Sequence, residues 1–211
     1  MSDMRSRAKE HFPSVLLTML SIVQAVALEL LWSHLTESQY LLELTWHSIL
    51  AWGQVVATFL GIVLIWVVYA SNVMRFTRTP VISDLVYPFF IGLVEFMLIA
   101  NLDPDDLGIW FLLFALTFAM MNRVGHTSMK LARQDRDNDA FFADLAPATI
   151  KDFYAQIAVV VVLVLVGVYL TLSGNLGVGA LILIVAINAL LGYQFYVVAH
   201  FWERSMVDNG G

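Results

Sequence analysis

The segment KDFYAQIAVVVVLVLVGVYLTLS, residues 151–173, decides the fold. Beyond Lys151 and Asp152 it carries no charge for 21 residues. As an α-helix that length rises about 31 Å, the thickness of a bilayer's hydrocarbon core. Valine and leucine occupy every side of the helix, so no face is suited to water. Working outward, Ser173-Gly174-Asn175 turns the chain into a second run of the same kind at 177–201. Towards the N-terminus four more runs appear, at 107–123, 83–102, 47–70 and 12–34. The expectation is an all-α membrane protein, a bundle of six transmembrane helices forming a single transmembrane domain over residues 1–211.

The breaks between the runs carry turn and cap chemistry. Pro80 precedes the third, and Asp103-Pro104-Asp105-Asp106 links the third to the fourth, with Asp105 or Asp106 as its expected cap. Thr149-x-x-Asp152 is a capping-box variant ahead of the fifth. The one sizeable polar piece is the loop 124–150. Its first part, 124–136, can prolong the fourth helix, and Phe141, Phe142 and Leu145 can form a short interfacial turn.

Charge supports the count of six. If the chain starts inside and crosses six times, every one of its 11 lysines and arginines falls on the inner side. These are Arg5, Arg7, Lys9, Arg75, Arg78, Arg123, Lys130, Arg133, Arg136, Lys151 and Arg204. The outer side holds Glu37, Glu43, Asp103, Asp105 and Asp106 and no basic residue. Adding or dropping one crossing would destroy this positive-inside asymmetry. Both termini are therefore expected on the cytoplasmic side of the cell's plasma (inner) membrane. The first run, with no small-residue cleavage site after it, reads as a retained helix rather than a signal peptide.

Composition narrows the function classes. The chain is 60% hydrophobic and only 13% charged, against about 25% charged in soluble domains. It has no cysteine, which excludes disulfides, thiolate metal sites and cysteine nucleophiles. No lysine lies inside a span, no basic patch suits a nucleic acid, and no HExxH, Walker or GxSxG pattern occurs. The expectation is no enzyme and no cofactor. Asp135-x-Asp137-x-Asp139 lacks the glycine and terminal carboxylate of a calcium loop and reads as a solvated linker.

Ionisable groups inside spans cost about 2.5–3.5 kcal/mol on insertion scales, so each needs a partner or a purpose. Glu29 and Glu95 are two such groups. In the first run Ser14, Thr18, Ser21, Ala25, Glu29 and Trp32 share one helical stripe. Such a stripe either lines a polar path or makes close helix contacts in lipid. Asp84, Pro88 and Glu95 align in the third run, while Gln54 and Asn188 are the expected hydrogen-bond partners of Glu95. His34, Glu37, Glu43 and His47 cluster around the first outer loop as a weak metal candidate, against a simpler reading as interfacial residues. His11, His126 and His200 sit at inner helix ends, where interfacial histidines are common.

The pathway candidates are thus Glu29, Glu95, Ser14, Thr18, Ser21, Gln54 and Asn188. The expected function is a channel or small transporter for a cation, proton or small solute, acting in the lipid bilayer, alone or as a homo-oligomer. The alternative is a non-catalytic membrane subunit or scaffold. In layout and in its polar first helix, the chain resembles the prokaryotic relatives of the lysosomal potassium channels. That resemblance implies a pore lined by the first helix. Their hallmark is arginine followed by Phe-Ser-Asp, whereas here Arg7 is followed by Phe12-Pro13-Ser14, and their paired histidines after the second helix are absent. The resemblance is one of layout.

Overall fold

The computed structural model describes residues 2–143, 149–174 and 176–207. Seven helices occur among them: α1 (Ser2–Glu37), α2 (Trp46–Arg75), α3 (Ile82–Ala100), α4 (Leu107–Arg133), α5 (Asp139–Phe142), α6 (Tyr154–Ser173) and α7 (Val178–Val207). All but the single-turn α5 are long and apolar enough to cross a membrane. This is the architecture of an integral, multi-pass membrane protein, because a chain in lipid must satisfy its backbone within each segment. The helices overrun the expected spans mainly on the side that carries the basic residues, termed the basic face below. There α1 begins ten residues before position 12, and α4 runs ten beyond position 123.

Side-chain contacts define the helix directions. Val23 and Gln24 on α1 meet Gly92 and Glu95 on α3, so these two run parallel. Gly108 on α4 meets Thr171 on α6, and His126 meets Phe153, so α4 and α6 run antiparallel. Helix α1 packs on α2 and α3, and α3 on α4. Helices α6 and α7 flank this group, α6 against α4 and α7 against α2. The core centres on Trp110, fully buried against Phe111 and Phe114. Its indole N–H donates to the Thr58 hydroxyl at 3.0 Å, which satisfies the one polar atom of a large apolar ring.

Glycine permits the closest crossing. A Cβ on Gly108 would lie 2.5 Å from the Thr171 backbone nitrogen and 2.8 Å from the Gly167 carbonyl oxygen. A Cβ on Gly167 would lie 2.9 Å from the Gly108 carbonyl oxygen. Without the two glycines the α4 and α6 backbones could not approach this far, the small-residue device of membrane helix pairs.

The linkers differ from expectation in detail. Asp103, rather than Asp105 or Asp106, caps the link before α4: its carboxylate accepts from the Asp105 amide at 2.9 Å. Asp106 occupies the N-cap position of α4 without a side-chain bond. Thr149 and Asp152 form the expected box, the Thr149 amide donating to Asp152 at 2.7 Å. Helix α4 stops at Arg133, three residues short of the expected extension. Phe142 is buried within the protein against Phe76 and Ala132, and its ring stacks on Phe76. Leu145 and Asn175 lie outside the described residues.

Candidate functional site

The buried face of α1 is Phe12, Leu16, Leu20, Val23, Gln24, Ala27 and Leu31, spaced every three or four residues. Gln24 is the one polar residue in that series. Its side-chain amide donates to both carboxylate oxygens of Glu95, at 3.0 and 3.1 Å. Glu95 is 1% exposed, so it faces the bundle interior. Its partner is Gln24 on α1 rather than Gln54 or Asn188. Asn188 instead donates to the Gly53 and Ile184 carbonyls, at 3.1 and 2.8 Å, fixing α7 to α2. Gln54 is fully buried, and neither polar atom of its amide has a partner.

Eleven residues below Glu95 on α3, toward the basic face, lies Asp84. That spacing corresponds to about 16 Å along the helix. Asp84 and Arg78 form a two-pronged ion pair at 2.6 and 2.7 Å, with exposures of only 9% and 8%. The fork geometry satisfies both carboxylate oxygens, which makes burial of such a pair tolerable. Arg78 also donates to the Ser128 hydroxyl at 3.2 Å and lies over the Phe12 ring, 5.2 Å from its centroid. The same Asp84 carboxylate accepts from the Val81 amide at the start of α3.

Around this pair lie two adjoining cavities. The outer one measures about 300 Å³ and is lined by Lys9, Phe12, Asn72, Thr77, Arg78 and Ser128, among others. The inner one, about 20 Å³, shares Asn72, Val73, Arg78 and Ser128 with the first and adds Tyr69, Asp84 and Tyr87. Beyond it the buried side chains Leu20, Ile65 and Ile91 fill the interior. The cavities thus lead inward from the basic face and end on an apolar layer.

Lys9 stands at the mouth. Its ammonium donates to the Asp135 carboxylate at 2.7 Å and to Asp137 at 3.0 Å. Burial acts to push the Asp135 carboxyl up, but the hydrogen bond from Lys9 and the Asp137 backbone amide outweigh it. The net effect holds Asp135 below its ordinary value of 3.8. The aspartates expected to be a solvated linker thus tie the start of α1 to the chain following α4.

The other candidates lie elsewhere. Ser14, Thr18, Ser21, Ala25 and Glu29 are exposed, so the α1 stripe faces away from the bundle and lines no interior path in the single chain. The physical reason is that α1 buries its leucine face, and the hydroxyls satisfy themselves locally. Thr18 donates to the Ser14 carbonyl at 2.8 Å, and Ser21 accepts from the Trp66 indole at 3.2 Å. With Gln24 level with Glu95, Glu29 stands level with the end of α3 at Ala100.

The four candidate metal ligands separate. His34 contacts the Tyr40 and Ser38 hydroxyls, and Glu37 accepts from Ser33. His47 instead lies 3.4 Å from Asp103. Among the described residues, His47, Asp103 and Asp105 bring their ligand atoms within 4.8 Å of one another. Asp103 is already engaged with the Asp105 amide. His126 packs edge-on to Phe153, and His200 stacks on Tyr196.

Sequence reasoning missed Gln24 and the pairing of Arg78. Gln24 was detectable as the single polar residue on a leucine face. Arg78 reads in the sequence only as a topological charge, whereas Tyr69 shares the helical stripe of His47, Ala51, Gln54, Thr58, Gly61 and Asn72. The fold and site together define a multi-pass membrane protein with a one-sided polar cavity. In comparison with known proteins, no family model, no curated protein and no solved structure matches this chain.

Proposed function

We propose that this protein is a small membrane carrier for a cation, a proton or a small polar solute. The observation that supports the reading is the polar cavity at the basic face, closed on its far side by an apolar layer beneath Glu95. A carrier presents its site to one side at a time, and a cavity open to one face only is the arrangement that this requires. The basic face is the cytoplasmic face in this reading, by the positive-inside rule. The paired Arg78 and Asp84 line the cavity, and Glu95 is the carboxylate behind the barrier. The test is reconstitution of the purified chain in vesicles, with uptake measured for protons, monovalent and divalent cations and small zwitterions. Uptake lost on Glu95→Leu supports the carrier, and uptake equal to that of empty vesicles for every species refutes it.

A second reading, a non-catalytic subunit, draws on the outward-facing hydroxyl stripe of α1, a surface suited to a neighbouring helix in lipid. In that reading Ser21→Leu, which inside the single chain removes only the acceptor of the Trp66 indole N–H, lowers the assembled mass measured in detergent. An unchanged mass removes the stripe as a contact surface.

A further inference from the structure

The larger cavity at the basic face is ringed by hydrogen-bond donors from four parts of the chain. Arg78, in the link between α2 and α3, is only 8% exposed and lines it. A guanidinium carries five N–H groups, and the Asp84 fork with the Ser128 contact engages three of them. Lys9 on α1 gives two of its three ammonium protons to Asp135 and Asp137. Asn72 on α2 lines the cavity, and its carboxamide makes no hydrogen bond among the described residues. Ser128 on α4 accepts from Arg78 and keeps its own hydroxyl proton to give.

Acceptors are scarce by comparison. Among the described residues no carboxylate lines this cavity: Asp84 borders only the inner chamber, and Asp135 and Asp137 hold Lys9 from outside the lining. A cation entering here meets two like charges and no carboxylate. An oxyanion meets the spare N–H groups instead. A carboxylate directs its two oxygens within one plane, whereas a phosphate directs oxygens tetrahedrally, towards donors that stand on separate helices. The volume of about 300 Å³ is at the lower end for small-molecule sites, with room for carbon beside the oxyanion. Phe12, Pro13, Val73 and Met74 supply an apolar wall for it. Basic pockets between helices on the cytoplasmic side are also where membrane proteins hold phosphate headgroups.

We infer that the cavity at the basic face binds an organic phosphate, with Arg78, Lys9 and Asn72 on its oxygens and Phe12 and Met74 along its carbon portion. The ester comes either from a lipid headgroup of the surrounding bilayer or from a soluble compound, and the recognition chemistry is shared. Charge alone does not draw it in, because Asp84, Asp135 and Asp137 outnumber the two cations. The short-range donors do, and the exposed Asp137 competes with the ligand for Lys9. The inference deepens the carrier reading by naming the polar solute, and rests on that reading only for passage across the membrane.

The experiment has two arms on the full chain. In detergent, calorimetric titration uses inorganic phosphate and glycerol 3-phosphate; in nanodiscs, native mass spectrometry reads retained phosphatidylglycerol. Asn72→Leu removes a donor and fills the cavity, and it weakens the bound species about tenfold or more. Lys9→Gln acts in the same direction and keeps the test open if Asn72→Leu does not fold. Asp137→Asn, which relieves Lys9 of one competitor, strengthens binding about twofold to fivefold. Binding of glycerol 3-phosphate supports the site with a soluble ester, and retention of phosphatidylglycerol alone supports it with a lipid. Binding in neither arm, or binding indifferent to both Asn72→Leu and Lys9→Gln, overturns the inference. Vesicle uptake is read separately. Asn72-dependent binding without uptake of any solute leaves the site standing and defeats the carrier. Uptake of a proton or cation with no phosphate bound in either arm does the reverse.

Discussion

The contact between Gln24 and Glu95 makes a quantitative claim about what joins α1 to α3. Replacing Gln24 by leucine removes both amide contacts and leaves a fully buried carboxyl group with no partner. An unsatisfied buried polar group costs about 1–3 kcal/mol, more where it is charged. Glu95→Leu should cost a similar amount, because it orphans the amide. No relaxation relieves either loss, since Val23 already abuts Gly92 beside the pair and the helices cannot slide to find water. The double variant removes both polar groups, and that is close to neutral when shape is kept. The cycle should therefore show a coupling of about 1–3 kcal/mol, above the mean of about 0.6 kcal/mol for hydrogen bonds between membrane helices. At roughly 2–4 °C per kcal/mol for a chain of this size, each single variant melts several degrees lower and the double variant recovers most of the loss. The 6 native tryptophans supply the fluorescence signal for thermal unfolding in detergent. A double variant as unstable as the sum of the two singles would refute the pairing.

Three further outcomes follow from the geometry. Asp84→Ala strands the Arg78 guanidinium in a buried site and should cost about 3–5 kcal/mol, whereas Arg78→Met with Asp84→Leu should recover most of it; chemical denaturation of the three proteins decides. Gly108→Ala places a Cβ against the α6 backbone and should lose about 1–3 kcal/mol. The same change at Gly125, where space is open, should gain about 0.5–1 kcal/mol from helix propensity, so equal signs at the two sites would contradict the α4–α6 crossing. The Asp135 carboxyl, held below 3.8 by Lys9, contributes stability that is complete above that ordinary value and is lost as pH falls through the lower folded value. Hydrogen exchange at the start of α1 should therefore rise only in strong acid, or at neutral pH in Lys9→Met, and exchange indifferent to that substitution would show that the pair holds nothing.

The spans were legible because lipid imposes a length and a composition that few other environments require. Glu95 was legible for the same reason, since a carboxylate in a span is expensive. Less legible was the rotation of α1, whose hydroxyl stripe reads either as a polar path or as a helix contact. A stripe of serine and threonine suggests an interior path, yet these hydroxyls bond to their own helix or to a neighbouring indole and cost little when turned outward. The leucines opposite bury more surface, so they set the helix rotation and bring Gln24 inward with them. Asn188 reads as a partner of Glu95 because both are polar residues of inward faces, and the geometry sends it to the Gly53 carbonyl. In the sequence Lys9 and Arg78 read as charges that orient the chain and Asp135 as part of a solvated linker, and spacing gives no hint that they meet around a cavity.

Helix α3 has 19 residues, about 28 Å of rise, against 30 for α2. Its ends are not free to lengthen it: the buried Arg78–Asp84 fork holds the first turn, and the Asn101 side chain folds back onto the Met97 carbonyl. In a thicker bilayer longer neighbours can span it by standing more upright, but α3 has no length in reserve, so the hydrocarbon edge is drawn towards that fork. Its outward side chains, Phe89, Phe90, Leu93 and Met97, then fix how much hydrocarbon the molecule will accept. As the shortest of the six membrane-length helices among the described residues, α3 sets the bilayer thickness that the molecule matches. Lipids with longer acyl chains should pull on the fork, coupling membrane composition to the shape of the cavity beside it.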